Sequence, residues 1–328
     1  MTGDKMRKAA VSFLFICVVQ VVYAQEEPKG RAFSIIPMAS YDYVHLDEQT
    51  IHTPSLGIGV MAGDYGGDFM DIHRIFFGVA KYQPVFFKQS SGPAAFHQID
   101  VLLDGRIERH QLLGMFQSDS DKPVSGGMHT FQAGAGWGYE FIRNPSVSLI
   151  VGAALAAGDF GIDLPNGEPL PVTPLPIIRF NFTSEWFDGA FEFLTGPELS
   201  FTIAPEKRIR FSAEVEIDGF QSINDVTGEA VIWYRFFPPE NSGEDSSPLG
   251  DFLGIGMGIK NDSLGFDLAG PGKDTFESQH TSVFAKIDAA ALEISAGYIF
   301  DSRELNKDTV VRNTGQGFFI SVQAMYRF

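Results

Sequence analysis

The chain has 328 residues, 44% of which are hydrophobic, and its mean hydropathy is +0.01. This composition supports a folded core and excludes both a disordered chain and a bundle of apolar membrane helices. The formal net charge of −17 makes nucleic acid a poor partner, because phosphate contacts require clustered Lys and Arg side chains.

The amino-terminal segment has the composition of a secretory signal peptide. Basic residues precede an apolar run over residues 9–22, and the small residue Ala24 follows shortly after it. The run is shorter than the roughly 20 residues that a membrane-spanning helix needs, which argues against an uncleaved anchor. We expect a signal peptide over residues 1–24 and one exported domain over residues 25–328. Because Cys17 is the single cysteine, the exported domain is expected to contain no disulfide.

Beyond the signal peptide, apolar residues recur at alternate positions, which is the spacing of one face of a β-strand. In residues 131–141, aromatic and Ala side chains alternate with Gly, Gln and Glu. In residues 208–218, apolar side chains alternate with Ser and ionisable ones. Sixteen segments are predicted as strands: 33–45, 55–64, 72–83, 94–103, 106–116, 131–141, 147–157, 177–184, 189–203, 208–218, 228–237, 251–260, 263–269, 280–288, 291–301 and 316–328.

A soluble β-sandwich or barrel would show the same alternation. Several segments, however, are as long as the about 9 to 11 residues that a tilted strand needs to cross a bilayer. Aromatic residues also collect near segment ends, as Tyr41 and Tyr43 do, where membrane barrels have an interfacial girdle. The sequence therefore predicts an all-β, antiparallel, up-and-down transmembrane β-barrel of about 14 to 16 strands, with about 12 as the lower alternative.

The connectors predict the topology. Tight turns are expected at residues 104–105 and 261–262, the first because Asp-Gly is favoured in two-residue hairpins. Outer-membrane barrels combine short periplasmic turns with longer external loops. With a periplasmic amino terminus, nearly every long connector falls outside, including 238–250, and the short connector 204–207 also falls outside. Residues 221–227 are predicted as a periplasmic turn.

Charged residues on the polar faces of several strands are predicted to line the lumen. An Arg or Lys facing lipid at the bilayer midplane costs about 2 to 4 kcal/mol, so these side chains are expected to point inward. The candidate lumen-lining residues are Arg106, Glu108, Arg179, Arg208, Arg210, Glu214, Glu216 and Asp218. Because both signs of charge occur on one face, a lumen closed by ion pairs remains an alternative.

Other chemistry receives little support. Side chains of the metal-ligand types bracket one connector: His45, Asp47, Glu48 and His52. Loop residues of these types are usually only solvated. The candidate catalytic residues for a serine hydrolase include His280 with Ser278 or Ser282, but no recognisable hydrolase motif surrounds them. We expect no catalytic residue, no metal and no cofactor.

The final segment carries a family resemblance. Its apolar face includes Phe318, Ile320, Val322, Tyr326 and Phe328, the last residue of the sequence. This pattern resembles the carboxy-terminal signature of bacterial outer-membrane β-barrel proteins, which the barrel-assembly machinery recognises. The resemblance implies that these five residues form a candidate assembly signal.

A second, looser resemblance lies in the middle of the chain. Residues 194–199 and 204–208 are similar to a family of uncharacterised bacterial outer-membrane barrels, which implies no chemistry.

The expected function is a passive pore for small polar solutes in the bacterial outer membrane. Membrane lipid and the barrel-assembly machinery are the expected partners, and the oligomeric state is left open. Two alternatives remain: a non-conducting barrel with a structural or surface-interaction role, and a transporter of hydrophobic substrates, which an apolar inner patch would distinguish.

Overall fold

The computed structural model describes residues 32–64, 74–123, 127–158, 172–194, 196–217, 226–236, 253–269, 275–289, 291–306 and 309–325. The predicted signal peptide, Asp218, Tyr326 and Phe328 lie outside the described residues. Among the residues that are described, no helix is both long and apolar enough to cross a bilayer.

The described chain consists almost entirely of β-strands, with a short 3-10 turn at Met128–Thr130. The strands are β1 Ala32–Leu46, β2 Thr50–Asp64, β3 Arg74–Lys88, β4 Ala95–Ile107, β5 His110–Ser120, β6 Gln132–Arg143, β7 Val147–Gly158, β8 Thr173–Thr183, β9 Phe187–Phe193, β10 Pro197–Ile203, β11 Ile209–Ile217, β12 Val226–Arg235, β13 Leu253–Asp267, β14 Thr275–Ala289, β15 Leu292–Asn306, β16 Thr309–Asn313 and β17 Gly317–Met325.

These strands close into one antiparallel barrel. Each strand from β1 to β15 pairs with the next, β17 pairs with β15, and β17 also pairs with β1, where Met38 lies opposite Met325. The short strand β16 folds back on the end of β15 and is not one of the strands that form the barrel wall. The result is a closed barrel of 16 strands, which confirms the predicted fold class and the upper end of the predicted strand number.

The apolar faces of the strands form the outer surface of the barrel. Large apolar side chains there are widely exposed, as Met257 at 72% and Leu155 at 63% illustrate. In the predicted strand 131–141, Trp137 and Phe141 are exposed on this surface, while the intervening glycines face inward. An apolar exterior of this extent is far larger than a soluble monomer presents, and it fits a hydrocarbon environment.

Buried apolar side chains of the described residues form three clusters inside the barrel. The first, which we call the far cluster, is built by β2 to β4 together with β13 and β14. It contains Ile51, Val85, Phe87, Phe96, Phe266 and Phe276. The β12–β17 cluster contains Val231, Trp233, Phe284, Ile299 and Phe319, together with Leu46 at the end of β1. The β5–β8 cluster contains Leu113, Ala154, Ala156, Leu175 and Ile177.

A glycine on β6 allows the side chains of the β5–β8 cluster to pack closely. A Cβ atom on Gly136 of β6 would lie 2.6 Å from Ile177 Cδ1 and 2.8 Å from the Ala154 side chain. Because such distances are too short for a real contact, only glycine at this position lets β7 and β8 pack closely across the inner face of β6.

The predicted turn at residues 104–105 is wrong. Asp104 continues β4, where it pairs with Phe77 on β3 and Leu113 on β5, and the hairpin turn is made by Glu108 and Arg109. Glu108 adopts a left-handed φ of 56°. Pairing on both sides of β4 therefore outweighs the local preference of Asp-Gly for a turn.

Two further boundary predictions are wrong, and they offset each other in the strand count. The predicted strand 189–203 is two strands, β9 and β10, which are separated at residues 194–196 just before Pro197. The predicted turn at 261–262 lies within β13, because Asn261 pairs with Thr281 and Asp262 with His280 on β14. The number of barrel strands is unchanged, but every strand between the two errors runs in the direction opposite to the one predicted.

This reversal changes the end of the barrel at which several strands begin and stop. We call the end of the barrel where β1 begins and β17 stops the terminal end, and the opposite end the far end. The connector 204–208, between β10 and β11, lies at the terminal end, so the predicted side of residues 204–207 relative to the amino terminus is wrong. Residues 221–225 and 238–250, which belong to two other predicted connectors, lie outside the described residues.

Candidate functional site

Opposite walls of the barrel touch at the far end. Ser120 at the end of β5 forms a parallel bridge with Asp267 at the end of β13, and Ser120 Oγ donates a 2.6 Å hydrogen bond to the Asp267 carbonyl oxygen. The Ala269 backbone N–H donates to the Asp121 carboxylate at 2.8 Å. Because β5 and β13 face each other across the ring of barrel strands, this contact divides the far-end interior into two halves.

The half that runs from β13 through β17 and β1 to β5 is packed at the far end. It contains the far cluster and the fully buried carboxylate of Glu304 on β15. Glu304 accepts hydrogen bonds from the Gln49 side chain and, at 3.0 Å, from the Ser91 backbone N–H. Through these hydrogen bonds, Glu304 joins the connectors that contain Gln49 and Ser91 to the end of β15.

The other half has a polar inner face on β9, β10 and β11. None of the residues of these strands is buried, and none belongs to the three apolar clusters. Glu214 of β11 pairs with Glu229 of β12, whose carboxylate binds Lys286 Nζ of β14 at 2.9 Å on the inner side of the intervening strand β13. Glu214 and Glu216 therefore face inward, and both are nevertheless exposed to solvent.

Two cavities adjoin this polar wall. The larger, about 430 Å³, is lined by residues of β3, β4, β5, β7, β8 and β9, and the smaller, about 340 Å³, by residues of β8 to β12. Asn181 and Ala190 line both cavities, so the two spaces are neighbours on the inner face of β8 and β9.

An ion pair spans the interior beside the larger cavity. Arg179 NH1 on β8 binds Asp104 Oδ2 on β4 at 2.7 Å, and Arg179 Nε donates to Glu192 Oε1 on β9 at 2.7 Å. Since β4 and β8 are not neighbours, the contact between Arg179 and Asp104 crosses the lumen. Charge-assisted hydrogen bonds of this kind fix a guanidinium firmly between two carboxylates.

The candidate lumen residues occupy different places. Arg106 and Arg179 line the larger cavity and Glu214 the smaller one, Arg210 lies 5.0 Å from the Trp233 ring centroid, and Glu216 faces inward on β11.

Two of the candidates lie outside the strands. Arg208 belongs to the connector at the terminal end, where its carbonyl oxygen accepts from the Arg235 N–H. Glu108 is an exposed residue of the 108–109 turn, so its predicted place on a strand face is wrong.

The sequence patterns did not identify several of the polar residues that face inward. Asp104 was assigned to a turn, and Glu192 and Glu198 lie on strands that were joined into one. For Glu192 and Glu198, alternation with outward Phe and Leu residues is the signal that identifies them, once the end of β9 at Phe193 and the start of β10 at Pro197 are placed correctly.

Several of the side chains considered for metal or hydrolase chemistry have structural partners, although Ser282 Oγ has no hydrogen bond with a described residue. His52 Nδ1 lies 2.8 Å from the Tyr41 hydroxyl, and Glu48 forms an ion pair with Arg312 at 2.9 Å. In the described ranges, no three potential ligands are grouped to hold a metal ion. His280 Nδ1 lies 2.8 Å from Ser302 Oγ, and both residues are buried at the far end.

The described part of the candidate assembly signal lies on the outer surface. Phe318 and Ile320 are exposed there, and Val322 shares their face of β17. Opposite them on β1 are His45, Tyr43 and Tyr41.

Comparison with solved structures finds chains that are weakly similar over most of this chain. OccAB3 of Acinetobacter baumannii is similar with a TM-score of 0.37 and 9% identity, covering 91% of this chain and 99% of that one. A mutant of the Rhodopseudomonas blastica porin has a TM-score of 0.36 and 10% identity, covering 90% and 100%. OmpT, an outer membrane protein of Vibrio cholerae, has a TM-score of 0.32 and 8% identity, covering 93% and 100%. No family model and no curated protein matches the sequence.

Proposed function

We propose that the protein is a bacterial outer-membrane β-barrel that acts as a passive pore for small polar solutes. A closed barrel satisfies all of its strand hydrogen bonds internally, which is the condition for crossing a bilayer with β-strands. The apolar outer surface supports contact with lipid, and the signal-peptide composition of residues 1–24 supports export.

The observation that carries the pore is the polar wall of β9 to β11. It lies between the β5–β8 cluster and the β12–β17 cluster, and its inward side chains are charged, hydroxylic or small, as Glu198, Ser200 and Ala190 are. Water-accessible side chains at every level of these strands give a polar solute a continuous hydrated surface. We place the route of the solute along this wall.

A second candidate is a non-conducting barrel with a structural or surface role. The contact between Ser120 and Asp267 favours it, because that contact joins opposite walls and the packed half beside it contains buried Glu304. Transport of hydrophobic substrates receives less support, since the inner apolar residues of the three clusters are buried against one another.

Reconstitution of the folded protein in a planar bilayer separates the two candidates. Discrete conductance steps are expected from a pore, and their absence from correctly folded protein would favour the non-conducting barrel. The matched variants are S200W, which places a large ring on the polar wall, and F201W, which places it on the neighbouring outward position. S200W is expected to lower the single-channel conductance and F201W to leave it unchanged. Equal conductance in both would contradict the proposed route.

A further inference from the structure

The larger cavity contains a buried hydrogen-bond acceptor without a partner. Gln111 on β5 is 2% exposed and lines this cavity. Its Nε2 group donates to both carboxylate oxygens of Asp104, at 2.8 and 2.7 Å, while its Oε1 atom has no hydrogen-bond partner among the residues that the structure describes. A buried acceptor left unpaired is costly, so Gln111 Oε1 is suited to receive a donor from a bound molecule.

An arginine is paired with Gln111 on the neighbouring strand. Arg106 on β4 is the register partner of Gln111 and also lines the cavity, and its guanidinium makes no ion pair with a described residue. The Cβ atoms of residues directly opposite each other on antiparallel strands lie about 4.5 to 5.5 Å apart. Among the described residues, Arg106 and Gln111 therefore present a cationic donor without an ion pair and an acceptor without a hydrogen bond, from paired positions on the wall of one cavity.

The charges around the cavity are balanced. Arg106 and Arg179 supply two cations, and Asp104 and Glu192 supply two carboxylates that Arg179 holds in place. A purely cationic solute meets Arg106, and a purely anionic solute meets the two carboxylates. A small molecule that carries an ammonium and a carboxylate group on the same carbon atom avoids both repulsions.

We propose that this cavity is a binding site for a small zwitterionic solute of the α-amino-acid class. Its carboxylate lies against the Arg106 guanidinium, and its ammonium group donates to Gln111 Oε1 and faces the carboxylates of Asp104 and Glu192. The cavity volume of about 430 Å³ leaves room for such a solute with several water molecules. The inference rests on the proposed function for the route by which a solute arrives, and it names the solute class.

Saturation-transfer NMR on the folded full chain in detergent tests binding without any need for conduction. The probes are L-alanine, ethylamine and propionate, which carry both charges, the cation alone and the anion alone. We expect saturation transfer to L-alanine that exceeds the transfer to either other probe by about tenfold. Equal transfer to ethylamine or propionate, or no transfer to L-alanine, would overturn the proposal.

Variants identify the site. R106Q and Q111L are each expected to reduce saturation transfer to L-alanine by about tenfold. The matched control is R74Q, which removes an exposed arginine on the outer face of β3 and is expected to leave the signal unchanged. Unchanged transfer in R106Q would place the solute elsewhere.

Conductance measured on the same preparations separates this site from the proposed pore. Conduction without transfer to L-alanine would remove the site and leave the pore, whereas transfer without conduction would remove the pore and leave the site.

Discussion

The rings of Phe96 on β4 and Phe266 on β13 stack with their centroids 4.2 Å apart, although their strands belong to opposite sides of the barrel. Phe276 on β14 adds a second ring 5.3 Å from Phe96. A circular barrel of this strand number would hold such residues far apart, because barrel diameter grows with strand number. The far end is therefore flattened, and its two walls are joined by aromatic packing.

The first prediction concerns this packing. Phe96→Ala is expected to destabilise the folded barrel by about 3 to 5 kcal/mol, because Phe96 is fully buried and its removal leaves a cavity. Phe86→Ala is the control, since Phe86 is 45% exposed on the outer face of the adjacent strand. Urea unfolding of the barrel in lipid vesicles measures both. A loss no larger for Phe96→Ala than for Phe86→Ala would show that the far cluster contributes little.

The second prediction concerns the contact between opposite walls. In a C17S background, the double variant S120C/D267C is expected to form a disulfide on mild oxidation, because bridge partners lie within the Cα separation that a disulfide spans. The pair S120C/S212C, which has no such contact, is the control. Gel mobility with and without reductant detects the bond, and absence of the bond in S120C/D267C would argue that the walls are apart.

The same cross-link tests the route of the solute. Because the polar wall of β9 to β11 lies outside the packed half, locking Ser120 to Asp267 is expected to leave single-channel conductance unchanged. A fall in conductance after oxidation would place the route through the contact.

The third prediction concerns the two faces of β11. Val215→Arg is expected to destabilise the inserted barrel by about 2 to 4 kcal/mol near the midplane, because Val215 is 41% exposed on the lipid-facing side. Glu214→Gln is expected to fold normally, since the Glu214 side chain faces the hydrated interior. Folding yield into vesicles compares the two, and equal tolerance would contradict a lipid-exposed outer face.

The fourth prediction concerns ion preference. Glu198, Glu214 and Glu216 follow one another on the inner faces of β10 and β11, where they raise the local concentration of cations. We expect cation preference that weakens in E198Q/E214Q/E216Q and fades as salt rises from about 0.1 M to about 1 M, where screening shortens to about 3 Å. Reversal potentials across a salt gradient measure it. Anion preference in the unmodified protein would show that Arg106, Arg179 and Arg210 dominate.

The fifth prediction concerns the last strand. Tyr326→Ser together with Phe328→Ser is expected to reduce insertion into the outer membrane without reducing export, because the change removes the aromatic residues that resemble an assembly signal. Gln323→Ala, at an exposed position on the inward face of β17, is the control. Membrane fractionation quantifies both, and normal insertion of the double variant would contradict the signal.

The sequence by itself determined the strands and their two faces. Alternation is a local property, so residues 131–141 and 208–218 each reveal which side chains share a face without reference to any partner strand. The strand number was also predicted, although one missed turn and one false turn had to offset each other.

Only the tertiary structure decided where turns interrupt the strands and what meets across the lumen. Asp104 stays in β4 because strands on both sides pair with it and because Arg179, four strands away, binds its carboxylate. Ser120 meets Asp267, and Phe96 meets Phe266, only after the ring has closed and flattened. These contacts join residues that are distant in the chain, and no local pattern records them, because the curvature of the whole barrel sets which inward side chains touch.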